Sequence, residues 1–170
     1  MLKAIGKLIA AFNGNTKKAQ IAAGVSWGIL LGLIPAGNFF FIVLFLISFC
    51  FRHHHWSKIF GLTIVKLLSP LIIMTLDSLG WFILTGIEPL QPFFTSLYNM
   101  PFVPFTKFNN TLVAGGLAAG IVLWLPFFFI FLGIITLYRN IIADKIRNSK
   151  FIKKLADSPV FTVIDKVLFK

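Results

Sequence analysis

The sequence predicts an all-α integral membrane protein. It would have a short helical hairpin, two longer kinked transmembrane helices and an amphipathic helix at each terminus. Three observations carry that prediction. Hydrophobic residues make up 58% of the 170-residue chain and charged residues 12%, where soluble domains run near half apolar and about a quarter charged. Phenylalanine alone occurs 21 times, more than a soluble core of this size can bury. The bases flank apolar segments and give a formal net charge of +11 against five acids. Lys and Arg beside spans mark the cytoplasmic side and favour anionic headgroups, which argues against a nucleic-acid partner.

Each element follows in order. Leu2, Ile5, Leu8, Ile9 and Phe12 fall at helical spacing with Lys3 and Lys7 off that face, so residues 1–18 read as a basic amphipathic helix on the membrane surface. The polar run at 13–18 interrupts any signal-peptide core, so the chain is expected to stay whole, with its first apolar hairpin directing insertion. The lone Cys50 forms no internal disulfide and says nothing of compartment.

Residues 19–138 form the transmembrane domain. Its hairpin, 19–51, has apolar arms at 19–34 and 39–51 turned at Pro35, Ala36, Gly37 and Asn38. A full crossing takes about 20 residues. The arms therefore read either as two short crossings or as a re-entrant hairpin that dips in and returns. Bases at Lys17, Lys18, Arg52 and Lys58 place both ends on the cytoplasmic side in either case.

A span at 59–87 follows, with a kink or break expected at Ser69-Pro70, because proline removes a backbone donor and disfavours helix just before it. Residues 88–110, with four prolines and a single base, Lys107, read as an ordered periplasmic loop at the interface. The span at 111–138 opens with small residues and is expected to kink at Pro126. Residues 139–170 form a basic cytoplasmic tail, with Ser158-Pro159 starting its last amphipathic helix.

Gly24, Gly28 and Gly32 are four residues apart, a GxxxG spacing that lines one helix face and lets another backbone approach. Gly116 and Gly120 repeat it. Gly24, Gly28, Ile29, Leu31 and Leu33 align without gaps on Gly116, Gly120, Ile121, Leu123 and Leu125. That match reads either as internal duplication, with a binding site at the repeat junction as in transporters, or as shared composition.

Lys66 and Asp77 are the only ionisable residues well inside an apolar segment. Charge in a bilayer core is expensive and usually faces protein or water. On a continuous helix the two share a face, about 16 Å apart at 1.5 Å per residue, too far to pair. Asp77 is open to three roles: carrying protons or a cation, neutralising Arg52 or Lys58, or marking the membrane boundary. Arg52, His53, His54 and His55 read as an interfacial polar cluster. Adjacent helical residues point about 100° apart, so three histidines in a row do not share one metal ion on a helix. No nucleophile–base pair, phosphate loop or dinucleotide fingerprint is present. The expectation is no catalytic residue, no metal and no cofactor.

A run of Ala23-Gly24, Gly28 and Gly32-Leu33-Ile34-Pro35-Ala36-Gly37 precedes an apolar arm ending in Arg52, then Gly61, Ser69-Pro70 and Leu79-Gly80. This pattern resembles the bacterial membrane family named domain of unknown function 2062. The resemblance covers the hairpin and most of the following span. It departs from that family's pattern twice. Arg52 is followed by three histidines where the family has Arg-x-Asn, and Ser69-Pro70 stands where it has Asn-Pro. The resemblance implies an inner-membrane location and supplies no activity.

Two functions fit. One is a small non-enzymatic inner-membrane subunit that anchors or gates a larger envelope complex, one version of which handles lipid transfer to the periplasm. Its partners would be membrane lipids and a larger membrane or periplasmic protein. The alternative is a small homo-oligomeric transporter or channel with a midplane site near Lys66 and Asp77.

Overall fold

A computed structural model describes residues 16–142. The expected terminal helices, 1–18 and 139–170, lie almost wholly outside that range. Among the described residues the fold is all-helical, with no strand. Its elements are α1 (Lys18–Leu33), α2 (Phe39–Ser48), α3 (His55–Trp81), α4 (Gln91–Tyr98) and α5 (Thr111–Leu137). A π-helical turn, Phe82–Gly86, continues α3, and another, Tyr138–Ile142, continues α5. Two 3₁₀ turns, Glu88–Leu90 and Val103–Thr106, flank α4.

The apolar helical stretches His55–Gly86 and Thr111–Asn140 run 32 and 30 residues, long and apolar enough to cross a membrane. At 1.5 Å per residue they reach about 45 Å, against a hydrocarbon core of about 30 Å. The hairpin arms, at 16 and 10 residues, reach only about 24 and 15 Å.

Several boundaries differ from the sequence expectation. The second arm stops at Ser48 rather than residue 51. The following helix starts at His55, four residues before 59, because the His54 side chain caps it by accepting from Ser57 N at 3.3 Å. Neither Ser69-Pro70 nor Pro126 breaks its helix: α3 and α5 each run through the proline. At Pro70 the local reason is visible. Proline has no N–H for the Lys66 carbonyl four residues back, and the Ser69 hydroxyl donates to that same carbonyl at 2.8 Å. Residues 88–110 contain α4 and its two flanking turns.

The two long helices, α3 and α5, pack around α1. Backbone approach fixes their directions. A Cβ at Gly24 would lie 2.5 Å from the His54 carbonyl oxygen, one at Gly28 would lie 2.8 Å from Leu62 N, and one at Gly32 2.6 Å from Val65 Cβ. α1 and α3 therefore run parallel. Gly61 answers from α3, its absent Cβ leaving 2.7 Å to the Val25 carbonyl. α5 is antiparallel to both: Gly116 abuts Leu33, Gly120 abuts Leu30, and Gly80 and Gly115 meet each other across α3 and α5. Burial runs right round α1, from Ile21 and Ala22 to Leu31 and Ile34, as expected of a central helix. At its start Ile21 and Ala22 cluster with Ile135, and midway Val25 and Ile29 cluster with Val65. Ser26, buried among them, donates to the Ala22 carbonyl within the same helix at 3.1 Å. Arg139 closes the starting end of α1, next to the Ile135 cluster, by donating to the Thr16 carbonyl at 2.8 Å.

Candidate functional site

The hairpin turn is built locally. Gly37 has φ +90°, a left-handed conformation that favours glycine. Asn38 secures both sides of the turn. Its side chain accepts from Phe41 N at 2.8 Å, capping α2, and donates to the Pro35 carbonyl at 2.7 Å.

Lys66 reaches this turn from α3. Its ammonium donates to the Ile34 carbonyl at 2.6 Å, at the C-terminal end of α1, and lies 5.8 Å from the Phe41 ring centre. A cation suits a helix C-terminus, where unpaired carbonyls and the helix dipole concentrate negative potential.

Lys58 repeats the arrangement eight residues earlier. It is 1% exposed. It donates to Ser48 Oγ at 2.7 Å and lies 3.8 Å from the Phe49 ring centre and 4.7 Å from that of Phe45. Phe41, Phe45 and Phe49 form one stripe on α2, and Lys58 and Lys66 form the facing stripe on α3. Among the described residues neither ammonium meets a carboxylate; hydroxyl, carbonyl and ring faces take that place. Sequence reasoning placed Lys58 as a flanking base and as one candidate partner for Asp77, and missed this pairing. Lys58 and Lys66 share a face by spacing alone, but no sequence signal says that α2 lies over them.

The histidines divide into separate roles. His54 is the α3 cap, with its Nδ1 also 2.8 Å from Ser57 Oγ. His55 is exposed, edge-on to His53 at 4.9 Å between ring centres and 5.2 Å from Phe49. His53 is 8% exposed and stacks on Trp27 of α1 at 6.5 Å. Both its ring nitrogens are buried with no hydrogen-bond partner among the described residues. Burial first, then the charges of Lys58 and His55, hold the His53 imidazole down from 6.5 to about 4. Burial and His55 lower His54 as well. His53 is thus neutral at pH 7. Arg52 is exposed. Among the described residues no three His, Cys, Asp or Glu side chains converge on a metal position.

Asp77 accepts from the Thr111 hydroxyl, tying α3 to the start of α5. It meets neither Arg52 nor Lys58. Lys66 and Asp77, eleven residues apart on one helix, bond in different directions, to α1 and to α5; the fold does not bring them together. Gly24, Gly28 and Gly32 face α3, whereas Gly116 and Gly120 face α1, so the two glycine sets have different partners.

Comparison with known proteins adds one relation. The chain is 29% identical over 160 residues to an uncharacterized protein of Treponema pallidum (strain Nichols), across 94% of this chain and 98% of that protein. No family model matches it. No solved structure matches it either.

Proposed function

We propose that the chain is a small non-enzymatic subunit of the bacterial inner membrane that anchors or gates a larger envelope complex. In this reading α3 and α5 cross the bilayer, α1 and α2 form a re-entrant hairpin, and both termini are cytoplasmic. The resemblance to the family of unknown function 2062 belongs to the same reading, as does a version in which the complex passes lipid to the periplasm.

The observation that carries the reading is the use made of the charges inside the apolar segments. Lys66 donates to the carbonyl at the end of α1, Asp77 accepts from Thr111, and Lys58 holds Ser48. Each is engaged in joining helices. A transporter would keep such groups around a common aqueous site. Exposed apolar side chains such as Leu67, Leu71 and Met74 on α3 give lipid or a partner helix ample surface.

Native mass spectrometry of the protein, purified at natural expression in mild detergent, tests this. A stoichiometric larger protein is the expected result. A homo-oligomer with only lipid or ion adducts overturns it and favours the transporter alternative. Asp77→Asn then becomes the deciding variant, since it abolishes transport by a folded protein in that alternative and affects only assembly or stability in ours.

A further inference from the structure

A cavity of about 480 Å³ lies between the first half of α5 and the segment that carries α4. That volume falls within the range of small-molecule sites, about 300–1,000 Å³. Its floor is one face of α5, where Ala114 and Ala118 leave room beside Leu117. From Val113 to Ile121 the floor extends about 12 Å at the helical rise. Leu97 and Phe108 lie across from it, and Phe40 of α2 contributes at its edge.

Among the lining residues only Thr106 has a polar side chain, and its hydroxyl is already engaged, donating to the Val103 carbonyl at 2.5 Å and accepting from Phe108 N at 3.3 Å. Ordered water needs two to four polar partners, which this cavity does not offer. Its natural content is hydrocarbon. One charge stands beside it. Lys107, exposed, lies between the lining residues Thr106 and Phe108 with φ 54°, a left-handed conformation uncommon for a side-chain-bearing residue. It is the single base between Glu88 and Asn110.

We propose that this cavity holds one acyl chain of an anionic phospholipid, with Lys107 meeting the headgroup phosphate. The proposal rests on the membrane placement given above. It does not depend on a larger partner.

The test uses the full chain in vesicles containing phosphatidylglycerol with a diazirine at the end of one acyl chain, and in parallel phosphatidylcholine carrying the same chain. After illumination, labelled residues are mapped by peptide mass spectrometry. Labelling is expected to concentrate at Leu117, Ala118 and Leu97, several-fold higher with phosphatidylglycerol, and Lys107→Gln is expected to erase that preference. Ala118→Phe fills the floor and lowers the labelling of Leu117 and Leu97 about tenfold, the loss expected on excluding one or two methylenes. Leu97→Trp fills the same space from the other wall if Ala118→Phe does not fold. Labelling spread evenly over exposed residues such as Leu71 and Met74, or unchanged by either filling variant, overturns the proposal. Equal labelling by the two lipids in the unaltered chain does so too. Carbonate extraction of the membranes is the separate check: release of the chain refutes the membrane placement and the site with it, whereas retention without labelling refutes the site alone.

Discussion

The two arms of the hairpin, α1 and α2, are neighbours in sequence and opposite in environment. α1 contains three glycines, a serine and a glutamine, and it is the helix that α3 and α5 enclose. α2 is apolar at every position before Ser48, and Phe39, Ile42, Leu46 and Ile47 are exposed. Were hydrophobicity the sorting force, the order would be reversed. In the membrane placement proposed above, apolar side chains gain nothing by leaving lipid for one another, and what distinguishes α1 is how closely other backbones approach it. The missing Cβ atoms of Gly24, Gly28 and Gly32 admit α3, and those of Gly116 and Gly120 on α5 admit α1 itself. α2 has no such face. It is attached instead by side chains, Phe41, Leu44 and Phe45 against Leu30, Leu31 and Ile34 at the end of α1, together with Lys58, Lys66 beside Phe41, and the Asn38 turn.

The most direct way to break this contrast is Gly28→Val. Its Cβ would overlap the Lys58 carbonyl oxygen and lie 2.8 Å from Leu62 N, backbone atoms that cannot turn aside. Separating α1 from α3 is expected to cost at least about 3 kcal/mol, at the severe end of overpacking effects. Thermal unfolding in mild detergent reads it. A loss below about 1 kcal/mol would mean the close approach is dispensable, and that α1 is central for another reason.

Acid tests the open end of the hairpin, where His53 lies against Trp27 of α1. The folded imidazole titrates near 4 rather than 6.5. Between those values the unfolded chain takes up a proton that the folded chain refuses. Stability therefore falls as pH drops through this window, and is fully retained above about 6.5. The two values set a ceiling of about 3 kcal/mol, at about 1.36 kcal/mol per pH unit. His53→Phe keeps a ring against Trp27 and removes the titration, so its stability is expected to be flat over the same range. An equally steep acid loss in that variant would assign the effect to another group.

Much of this contrast was legible in the sequence and part of it was not. Long apolar runs gave the two long helices because length and composition suffice for that inference. The four-residue spacing of Gly24, Gly28 and Gly32 pointed to one packed face because helical periodicity is local. Gly61 and Gly80 were singled out only through the family resemblance. Both lie on α3, too far apart to form a four-residue spacing, and only the partner opposite, Val25 or Gly115, reveals the use of each. Lys58 pairing with Ser48 and Lys66 capping α1 depend on which helices become neighbours, which spacing does not encode. The proline breaks were expected from a general rule, which at Pro70 met a serine placed to satisfy the freed carbonyl.

Lys58→Met sharpens the comparison from the α2 side. It retains a long flexible apolar side chain and removes both the hydrogen bond to Ser48 and the charge over Phe45 and Phe49. A charged hydrogen bond with cation–π support is worth about 1–2 kcal/mol, so amide exchange in α2 should quicken about tenfold or more. Exchange in α1 should not change, because its glycine contacts remain. Parallel acceleration of both arms would show that α2 and α1 open as one unit and that the attachment is not local to Lys58.

The smallest expected effect bears most directly on what sorts the arms. Leu46 on α2 is 60% exposed, so Leu46→Ala removes little packing and should change stability by less than about 0.5 kcal/mol in purified protein. The same substitution in a core position of a soluble protein costs about 2–5 kcal/mol. A near-zero result would place the more apolar arm among the least sensitive parts of the fold, as packing by small residues requires. A loss above about 1 kcal/mol would instead mean that the outer face of α2 is covered. Returning the purified chain to lipid vesicles, and comparing it with the chain at natural expression, then tells lipid from protein. A substitution silent in those vesicles but destabilising at natural expression identifies this face as one against which a partner packs, and α2 becomes the arm that reaches outward while α1 holds the bundle together.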